Sequence, residues 1–214
     1  MAHRQASVKQ ADVVGALVSS AAYAALGAAV VSGKTSDVDH ALRRSQRHRA
    51  GGPRRAVAEG VKRVARPEIQ LGTAAAVTLA LHYAGVRSAR AVLGASVLVF
   101  IADRLTKPVA HRRRPPGYHG LKKHESFPSG HTAATTALTL TIARVLERAE
   151  LTESPFATVT AGLLIALVGE SRLALDEHWP TDVLGGVLLG TAASSLALVV
   201  DGALRGAIGR PLTW

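Results

Sequence analysis

The sequence contains no cysteine and few aromatic residues, which make up 4% of its 214 positions. Without cysteine, the chain can form neither a disulfide framework nor a thiolate metal site. Acidic residues are also scarce: 15 Asp and Glu stand against 26 Lys and Arg, so the formal net charge is +11. A charge of this size indicates an anionic partner, which is nucleic acid, an anionic membrane surface or a phosphorylated substrate.

Small apolar residues are abundant instead: 48% of the chain is hydrophobic, mostly Ala, Val and Leu, and 20 residues are Gly. A membrane-spanning helix needs about 20 apolar residues, with a range of about 17–25. Four of six apolar runs reach this length outright, whereas the third and fifth reach it only with charged residues at one end. Those two runs could alternatively be buried helices of a soluble protein. The runs cover residues 13–33, 69–86, 91–104, 128–145, 155–170 and 183–200.

Residues this small allow helices to pack closely in lipid. We therefore predict an all-α fold: a multi-pass protein of the cell (inner or plasma) membrane, built as a six-transmembrane-helix bundle. A single domain covers residues 1–214. The sequence does not indicate an oligomeric state, although Gly185, Gly186 and Gly190 in the sixth run would permit close packing within or between chains.

Residues 34–67 form a basic segment between the first two runs, and ten Lys and Arg lie within it. In its second half, Val57, Val61 and Val64 share one helical face, and most basic residues lie elsewhere. This pattern is typical of a short amphipathic helix on the membrane surface, in contact with membrane lipids. A nucleic-acid-binding arm is the alternative, but the segment lacks interleaved aromatic residues and any binding motif. We therefore expect no nucleic-acid partner.

Three polar stretches lie at helix ends that the alternation of six spans places on one side of the membrane. They are "KPVAHRRRP" at 107–115, "PSGH" at 128–131 and "SRLALDEHWPTD" at 171–182. A solvated rim of the bundle is the simplest alternative for such a cluster. Each stretch, however, has residue types suited to a particular chemistry, so we predict a functional site there.

The first candidates are cations that could converge on one anion: Lys107, Arg114 and Arg172. The guanidinium fork matches phosphate oxygens, and the lysine ammonium supplies a compact charge. Lys107 could instead extend to the membrane interface or pair with Asp103 one helical turn earlier. Two further arginines, Arg112 and Arg113, are expected to contact lipid headgroups.

The PSGH stretch has the features of an anion site at a helix start. Pro128 suits the first helical turn, Gly130 lets a ligand approach the backbone, and Ser129 adds a hydroxyl donor. The unpaired amides of a first turn also attract anions. His131 would point into the same space, although a histidine at a helix start is more often a structural residue or a cap.

The HWPTD stretch places a carboxylate four residues after a histidine. Asp182 at this spacing can accept a hydrogen bond from one imidazole nitrogen of His178, which leaves the other nitrogen free as a nucleophile. Alternatively, Asp182 is only a favourable charge in a first helical turn, or the two residues are half a metal site. We discount a metal because no further His or carboxylate has convincing ligand spacing.

These residues resemble the three signature motifs of the type-2 phosphatidic acid phosphatase superfamily. The matching positions are Lys107-x6-Arg114-Pro115, Pro128-Ser129-Gly130-His131 and Ser171-Arg172-x5-His178-x3-Asp182, in the family's order. The motifs span residues 107–182. The predicted six-helix layout extends the resemblance over most of the chain, and the basic segment is its least supported part.

The resemblance implies a metal-independent phosphatase, without a cofactor, that acts on a lipid phosphate. In such an enzyme His178 would be the nucleophile that forms a phosphohistidine, Asp182 would orient it, and His131 would be the general acid and base. The phosphoryl oxygens would be bound by Lys107, Arg114, Ser129, Gly130 and Arg172. This assignment agrees with the need of phosphoryl transfer for positioning and charge stabilisation.

Two other classes of function remain open. The superfamily also contains vanadium-dependent haloperoxidases, which hold vanadate in the same cradle but resemble larger soluble helical proteins. A membrane protein that only binds anionic lipid is the other alternative, and the complete motifs argue against it.

The substrate and the orientation in the membrane are the least determined features. Bacterial recycling of an undecaprenyl-type polyprenyl diphosphate is slightly preferred to phosphatidic acid, phosphatidylglycerol phosphate or a polyprenyl-phosphosugar. The resemblance places the active site on the outer face of the membrane. The ten Lys and Arg of the basic segment lie on the same side as the site, however, and the positive-inside rule therefore argues for the cytoplasmic face.

Overall fold

The computed structural model describes residues 2–47, 52–118, 120–121, 124–153 and 155–208. Within these ranges the regular structure is entirely helical. The eight helices are α1 (Ala2–Val31), α2 (Ser36–Arg47), α3 (Gly52–Val64), α4 (Pro67–Tyr83), α5 (Arg90–Ala110), α6 (Gly130–Arg148), α7 (Phe156–Ala174) and α8 (Pro180–Ile208). The prediction of an all-α fold is confirmed, and each of the six apolar runs coincides with one of the long helices.

Proline marks two of the helix starts. Pro67 and Pro180 are the first residues of α4 and α8, where the missing N–H costs nothing and the fixed φ favours the helix. α8 runs longer than predicted, since it continues past Asp201 to Ile208. Asp201 is buried and pairs with Arg90 and Arg205, so its charge does not end the helix.

Three helices are long and apolar enough to cross a membrane, judged by length and composition over the described part of the chain. They are α1 within Gln10–Val31, α7 within Phe156–Ala174 and α8 within Pro180–Gly206. α4 falls short of this criterion because it has only 17 residues, and α5 and α6 because they carry more polar residues. The count of six spans therefore stays a prediction.

Close contact between α6 and α8 forms the centre of the bundle. A Cβ on Gly186 would lie 2.7 Å from the Ser129 carbonyl oxygen, and one on Gly190 would lie 2.6 Å from that of Ala133. Neither position has space for a methyl group, so the small residues bring the two backbones together, as is typical of membrane helix pairs. This packing occurs within one chain and sets the start of α6 against the start of α8.

The basic segment contains two helices, not the single amphipathic helix that we predicted. α3 matches that prediction in position, and its Val57 and Val64 are exposed. α2 was missed. It lies against the α7–α8 connection, where Arg43 Nε donates to Asp176 Oδ1 at 2.8 Å and His40 makes an edge contact with the Trp179 ring. Arg43 and His40 of α2 therefore contact the protein itself.

Candidate active site

Gly130 brings the first two motifs together. A Cβ at this position would lie 3.2 Å from Lys107 Nζ and 3.1 Å from both carboxylate oxygens of Asp103. Lys107 also forms an ion pair of 2.5 Å with Asp103, which is the helical pairing considered from the sequence. The end of α5 thus brings its cation against the first turn of α6, and a side chain at position 130 would force Lys107 and Asp103 to shift.

A backbone hydrogen bond joins the second motif to the third. The Ser129 N–H donates to the carbonyl oxygen of Asp182 at 3.0 Å. The Ser129 hydroxyl is buried and bonds to Thr132 Oγ1 at 2.9 Å. Ser129 therefore joins the start of α6 to the start of α8, and its hydroxyl is shared with Thr132.

Arg114 connects the first motif to the third. Its Nη1 donates to the Glu177 carbonyl oxygen at 2.7 Å and lies 3.2 Å from His178 Nε2. Its Nη2 donates to the Glu125 carbonyl oxygen at 3.1 Å. The guanidinium is thereby fixed beside the nitrogen that the motif predicts to be nucleophilic.

Arg172 is fully buried at the end of α7. Its Nε and Nη2 lie 3.1 and 3.0 Å from Ser171 Oγ, and its Nη1 donates to Glu177 Oε2 at 2.9 Å. The other Glu177 oxygen accepts a hydrogen bond from Lys62 of α3. Glu177 therefore neutralises two cations, of which Arg172 is a predicted phosphate ligand.

The charges around Glu177 favour its ionised form. Burial alone raises the pKa of Glu177, but the hydrogen bond from Lys62 and the charge of Arg172 outweigh it and leave the pKa below its usual value. Glu177 therefore remains an anion beside His178 at neutral pH. A phosphate that binds Arg172 would have to share this cation with the carboxylate.

His178 is 4% exposed and both of its ring nitrogens have partners. Nδ1 lies 2.8 Å from the carbonyl oxygen of Ser126 and 3.5 Å from Asp182 Oδ2. Because both partners are acceptors, Nδ1 carries the proton and Nε2 keeps a lone pair. The tautomer expected for a nucleophile is present, but the shorter bond comes from the Ser126 backbone.

Burial lowers the pKa of His178, the charges of Arg114 and Lys107 act in the same direction, and Asp182 opposes them only in part. The imidazole is therefore neutral at physiological pH. A neutral imidazole is the form whose lone pair can attack phosphorus.

Asp182 is fully buried and uses both of its carboxylate oxygens. Oδ2 accepts from the Ser126 hydroxyl and, at 2.8 Å, from the Trp179 N–H. This second bond closes the first turn of α8 as the acidic residue of a capping box does. Oδ1 accepts from Arg112 Nη1 at 2.5 Å. The prediction that Arg112 contacts lipid headgroups is therefore wrong, because its guanidinium is turned inward to this carboxylate.

His131 contrasts with this network. Its Nε2 is buried, and no hydrogen-bond partner lies within reach among the residues that the structure describes. The cations that act on its ring are Arg172, Lys107 and Lys62. The imidazole thus stands among the predicted phosphate ligands with one nitrogen uncommitted, as a group that exchanges protons with a ligand requires.

No group of three or more His, Asp or Glu within the described ranges has a geometry that could hold a metal ion. Independence of metal stays a prediction that requires an assay. The anion ligands on hand are nitrogen donors: Lys107, Arg114, Arg172 and the first-turn amides of α6.

Several residues of the site escaped the sequence analysis. Ser126 lies two positions before the PSGH stretch, and Glu177 lies directly before His178, so both were within reach of a search around the motifs. Asp39 and Lys62 belong to the basic segment and carried no comparable signal. The only hint for Asp39 is an acidic residue in a strongly basic stretch.

The fold and the site together define the class of protein: a helical membrane protein in which two histidines and several cations lie at one end of the bundle. The model of the PAP2 superfamily matches residues 88–205. Because the match covers more than half of the chain and includes all three motifs, the protein belongs to the PAP2 superfamily.

Two relatives are similar to this chain. Phosphatidylglycerophosphatase B of Bacillus subtilis is 37% identical over 107 residues, which cover 44% of this chain and 50% of that protein. The match thus spans about half the length of that relative. A crystal structure of a transmembrane PAP2 type phosphatidylglycerolphosphate phosphatase from Bacillus subtilis superposes with a TM-score of 0.67 at 24% identity, over 91% of this chain and 98% of that one. This likeness shows the fold.

Proposed function

We propose that the protein hydrolyses a lipid phosphate through a phosphohistidine intermediate. The observation that carries the proposal is the state of His178. Its Nδ1 faces two acceptors, and its Nε2 lies 3.2 Å from Arg114 Nη1. A phosphate that binds Arg114 would therefore lie next to the lone pair of Nε2, which is the position from which a neutral histidine can attack phosphorus.

In the first step, His178 Nε2 attacks phosphorus and the bond from phosphorus to the lipid oxygen breaks. His131 gives its proton to the departing oxygen, so the lipid leaves as a neutral alcohol, or as a monophosphate when the substrate is a diphosphate. Lys107, Arg114, Arg172 and the amide of Gly130 stabilise the charge on the equatorial oxygens. The Nδ1–H bonds to Ser126 and Asp182 stabilise the positive imidazole ring that results.

In the second step, water attacks the phosphohistidine. His131, now neutral, accepts a proton from this water, and the bond from phosphorus to Nε2 breaks. Inorganic phosphate leaves and His178 returns to its neutral form. His131 must therefore be protonated for the first step, and a bound phosphate dianion favours that form because it places negative charge among the surrounding cations.

A phosphomonoester of phosphatidylglycerol is the substrate that we now place first. The preference for a polyprenyl diphosphate rested on how common that role is in bacteria, and the similar proteins do not support it. The relative that is 37% identical is named for phosphatidylglycerophosphate. Phosphatidic acid and polyprenyl phosphates remain the competing substrates of the assay below.

We assign one span to each of the six long helices. In support, a cavity at the site is lined by the start of α4 (Pro67), the end of α5 (Asp103) and the start of α6 (Gly130). At the same end, Arg112 lies 3.4 Å from Thr35, which follows α1. The site then lies at headgroup depth, and we propose the outer face of the cell membrane. A C-terminal reporter active on only one side of the membrane tests this orientation.

The test of function is phosphate release from a panel of purified lipid phosphates in mixed micelles with EDTA, with His178→Ala as the control. We expect release that depends on His178, fastest with phosphatidylglycerol phosphate. Phosphohistidine is labile in acid and stable in alkali. A ³²P label transferred from the lipid to the protein that is stable in acid or labile in alkali, or the absence of any label, would therefore contradict the intermediate. Bound vanadate with halide oxidation, in place of phosphate release, would favour the haloperoxidase class.

A further inference from the structure

Asp39 of α2 is a deeply buried charged residue of the basic segment, at 1% exposure. Its Oδ1 accepts from the Thr181 N–H at 3.0 Å, and its Oδ2 accepts from the Thr181 hydroxyl at 2.7 Å. Thr181 is the second residue of α8, whose first-turn amides have no partner within the helix. A residue 142 positions away in sequence therefore caps the helix that carries Asp182.

Arg112 lies between Asp39 and Asp182 and binds both. Its Nη2 forms an ion pair with Asp39 Oδ2, and its Nη1 donates to Asp182 Oδ1 at 2.5 Å and to Thr181 Oγ1 at 2.8 Å. The side chain is 13% exposed, and its guanidinium carbon lies 5.7 Å from the centre of the Trp179 ring. The planar fork thus fixes the two carboxylates relative to each other.

In this arrangement the two oxygens of the Asp182 carboxylate have different partners. Oδ1 is held by Arg112, so Oδ2 is left for the His178 side, where it meets Ser126 and the Trp179 N–H. Without the guanidinium, the carboxylate would keep a buried oxygen without a charged partner and would be held through Oδ2 alone. Its distance to His178 Nδ1 would then be fixed less firmly.

Charge gives Asp39 a second effect. The three residues Asp39, Arg112 and Asp182 carry a formal net charge of −1, which lies behind His178 on the side away from Arg114. When His178 attacks phosphorus, its ring becomes positive, and this net charge stabilises it. If Asp39 were neutral, Arg112 would cancel the charge of Asp182 and the net charge behind the ring would be zero.

We propose that Asp39 and Arg112 are positioning residues for the nucleophile: they fix the Asp182 carboxylate and keep its negative charge available to His178. The inference rests on the proposed phosphatase function. It gives the basic segment a part in catalysis that its sequence, typical of a membrane-surface helix, does not suggest.

The first test is Asp39→Asn, with kcat and KM measured separately on the best lipid phosphate. Outer residues that orient a functional group typically contribute 10–100-fold, and we expect kcat to fall by about this factor. KM should stay within about threefold, because Lys107, Arg114 and Arg172 are unchanged. An equal loss in KM, or an unchanged kcat, would overturn the proposal.

The matched control is Asp12→Asn. Asp12 is also buried and pairs with an arginine, Arg148, at 2.5 Å. This pair lies at the C-terminal end of α6, about 25 Å from His131 at a rise of about 1.5 Å per residue. We expect a similar loss of thermal stability in both variants but a fall in kcat only for Asp39→Asn. Equal effects of the two variants on kcat would mean that Asp39 has only a structural role.

A double-mutant cycle tests the role of charge. Arg112→Gln alone should lower kcat, since it leaves two buried carboxylates unpaired. Asp39→Asn with Arg112→Gln restores the net charge of −1, so the double variant should lose clearly less than the product of the single losses. Multiplicative losses would refute the charge argument.

If Asp39→Asn does not fold, Arg112→Lys tests the proposal instead, because it keeps the positive charge but removes the planar guanidinium. A wild-type kcat for Arg112→Lys would overturn the proposal. The wild type and His178→Ala are measured in each series. Failure of the phosphatase function would appear as an inactive wild type, and failure of this inference as an active wild type with Asp39→Asn equal to Asp12→Asn.

Discussion

The two histidines of the site are held in opposite ways. Both ring nitrogens of His178 have partners. Ser126 and Asp182 lie at Nδ1, and Arg114 lies at Nε2. His131 is the second residue of α6, and its buried Nε2 has no partner in the described part of the chain. The same side chain thus occurs once as a fixed group and once as an uncommitted one, within one cluster of cations.

The difference follows from what each residue would have to do. A nucleophile needs one tautomer throughout the cycle, and acceptors at Nδ1 enforce it. A group that first gives and then takes a proton must change its protonation state, so a permanent partner at its working nitrogen would be a hindrance. Three substitutions and one change of pH test this division of roles.

Replacement of the fixed histidine should have the largest effect. His178→Ala removes the atom that forms the phosphohistidine, and we expect phosphate release to fall by at least about 10⁴-fold, as for other covalent nucleophiles. The control is His82→Ala, at an exposed position near the end of α4, which should retain wild-type activity. Substantial turnover by His178→Ala would assign the nucleophile to another residue.

Replacement of the uncommitted histidine should depend on the leaving group. His131→Ala should slow hydrolysis of a lipid alkyl phosphate by about 10²–10⁴-fold, the usual contribution of general acid catalysis. An aryl phosphate, whose phenolate leaves without a proton, should form the phosphohistidine at a rate much closer to that of the wild type. The measurement is the burst of phenol release. Equal losses with both leaving groups would exclude His131 as the general acid.

Loosening the fixed histidine should have a smaller effect than removing it. Ser126→Ala deletes one donor to Asp182 Oδ2 but keeps the backbone carbonyl that holds Nδ1–H. We expect a fall in kcat of about tenfold with little change in KM. Ser96→Ala is the control, since Ser96 is also buried and its hydroxyl donates to the Val92 carbonyl oxygen of its own helix at 3.1 Å. A loss as large as that of Asp182→Ala would mean that the carboxylate cannot support His178 without the Ser126 hydroxyl.

The smallest expected effect is in the dependence of kcat/KM on pH. An imidazole with the usual pKa of about 6.5 would lose about threefold of its neutral form between pH 7 and pH 6. Because burial lowers the pKa of His178, kcat/KM should fall by less than this once the ionisation of the substrate, measured by ³¹P NMR, is taken into account. A full threefold fall would show that the nucleophile titrates as an exposed histidine does.

The helices could be predicted because each apolar run is continuous in sequence and needs no distant partner to be recognised. The start of α8 at Pro180 and the turn at Gly130 were also local features. The number of spans was harder: α5 and α6 carry polar residues that face the site or each other, so hydropathy alone does not identify them as spans.

The site could be predicted only where its residues lie within the motifs. The support of Asp182 could not, because Arg112 and Asp39 are 73 residues apart and nothing local indicates that they meet. Arg112 also has the composition of a headgroup ligand, and only the fold shows that a carboxylate holds it inward. Long-range pairs between charged residues are the part of a site that one sequence conceals.

The contacts of α2 and α3 have a consequence for how members of this superfamily are compared or trimmed. The region matched by the family model begins at residue 88, yet Asp39 caps α8 and Lys62 holds Glu177 from before that point. A fragment of residues 88–205 would contain every motif but leave Arg112 facing one carboxylate instead of two. Transplanting the motifs into another helical scaffold would therefore require a counterpart of α2 as well.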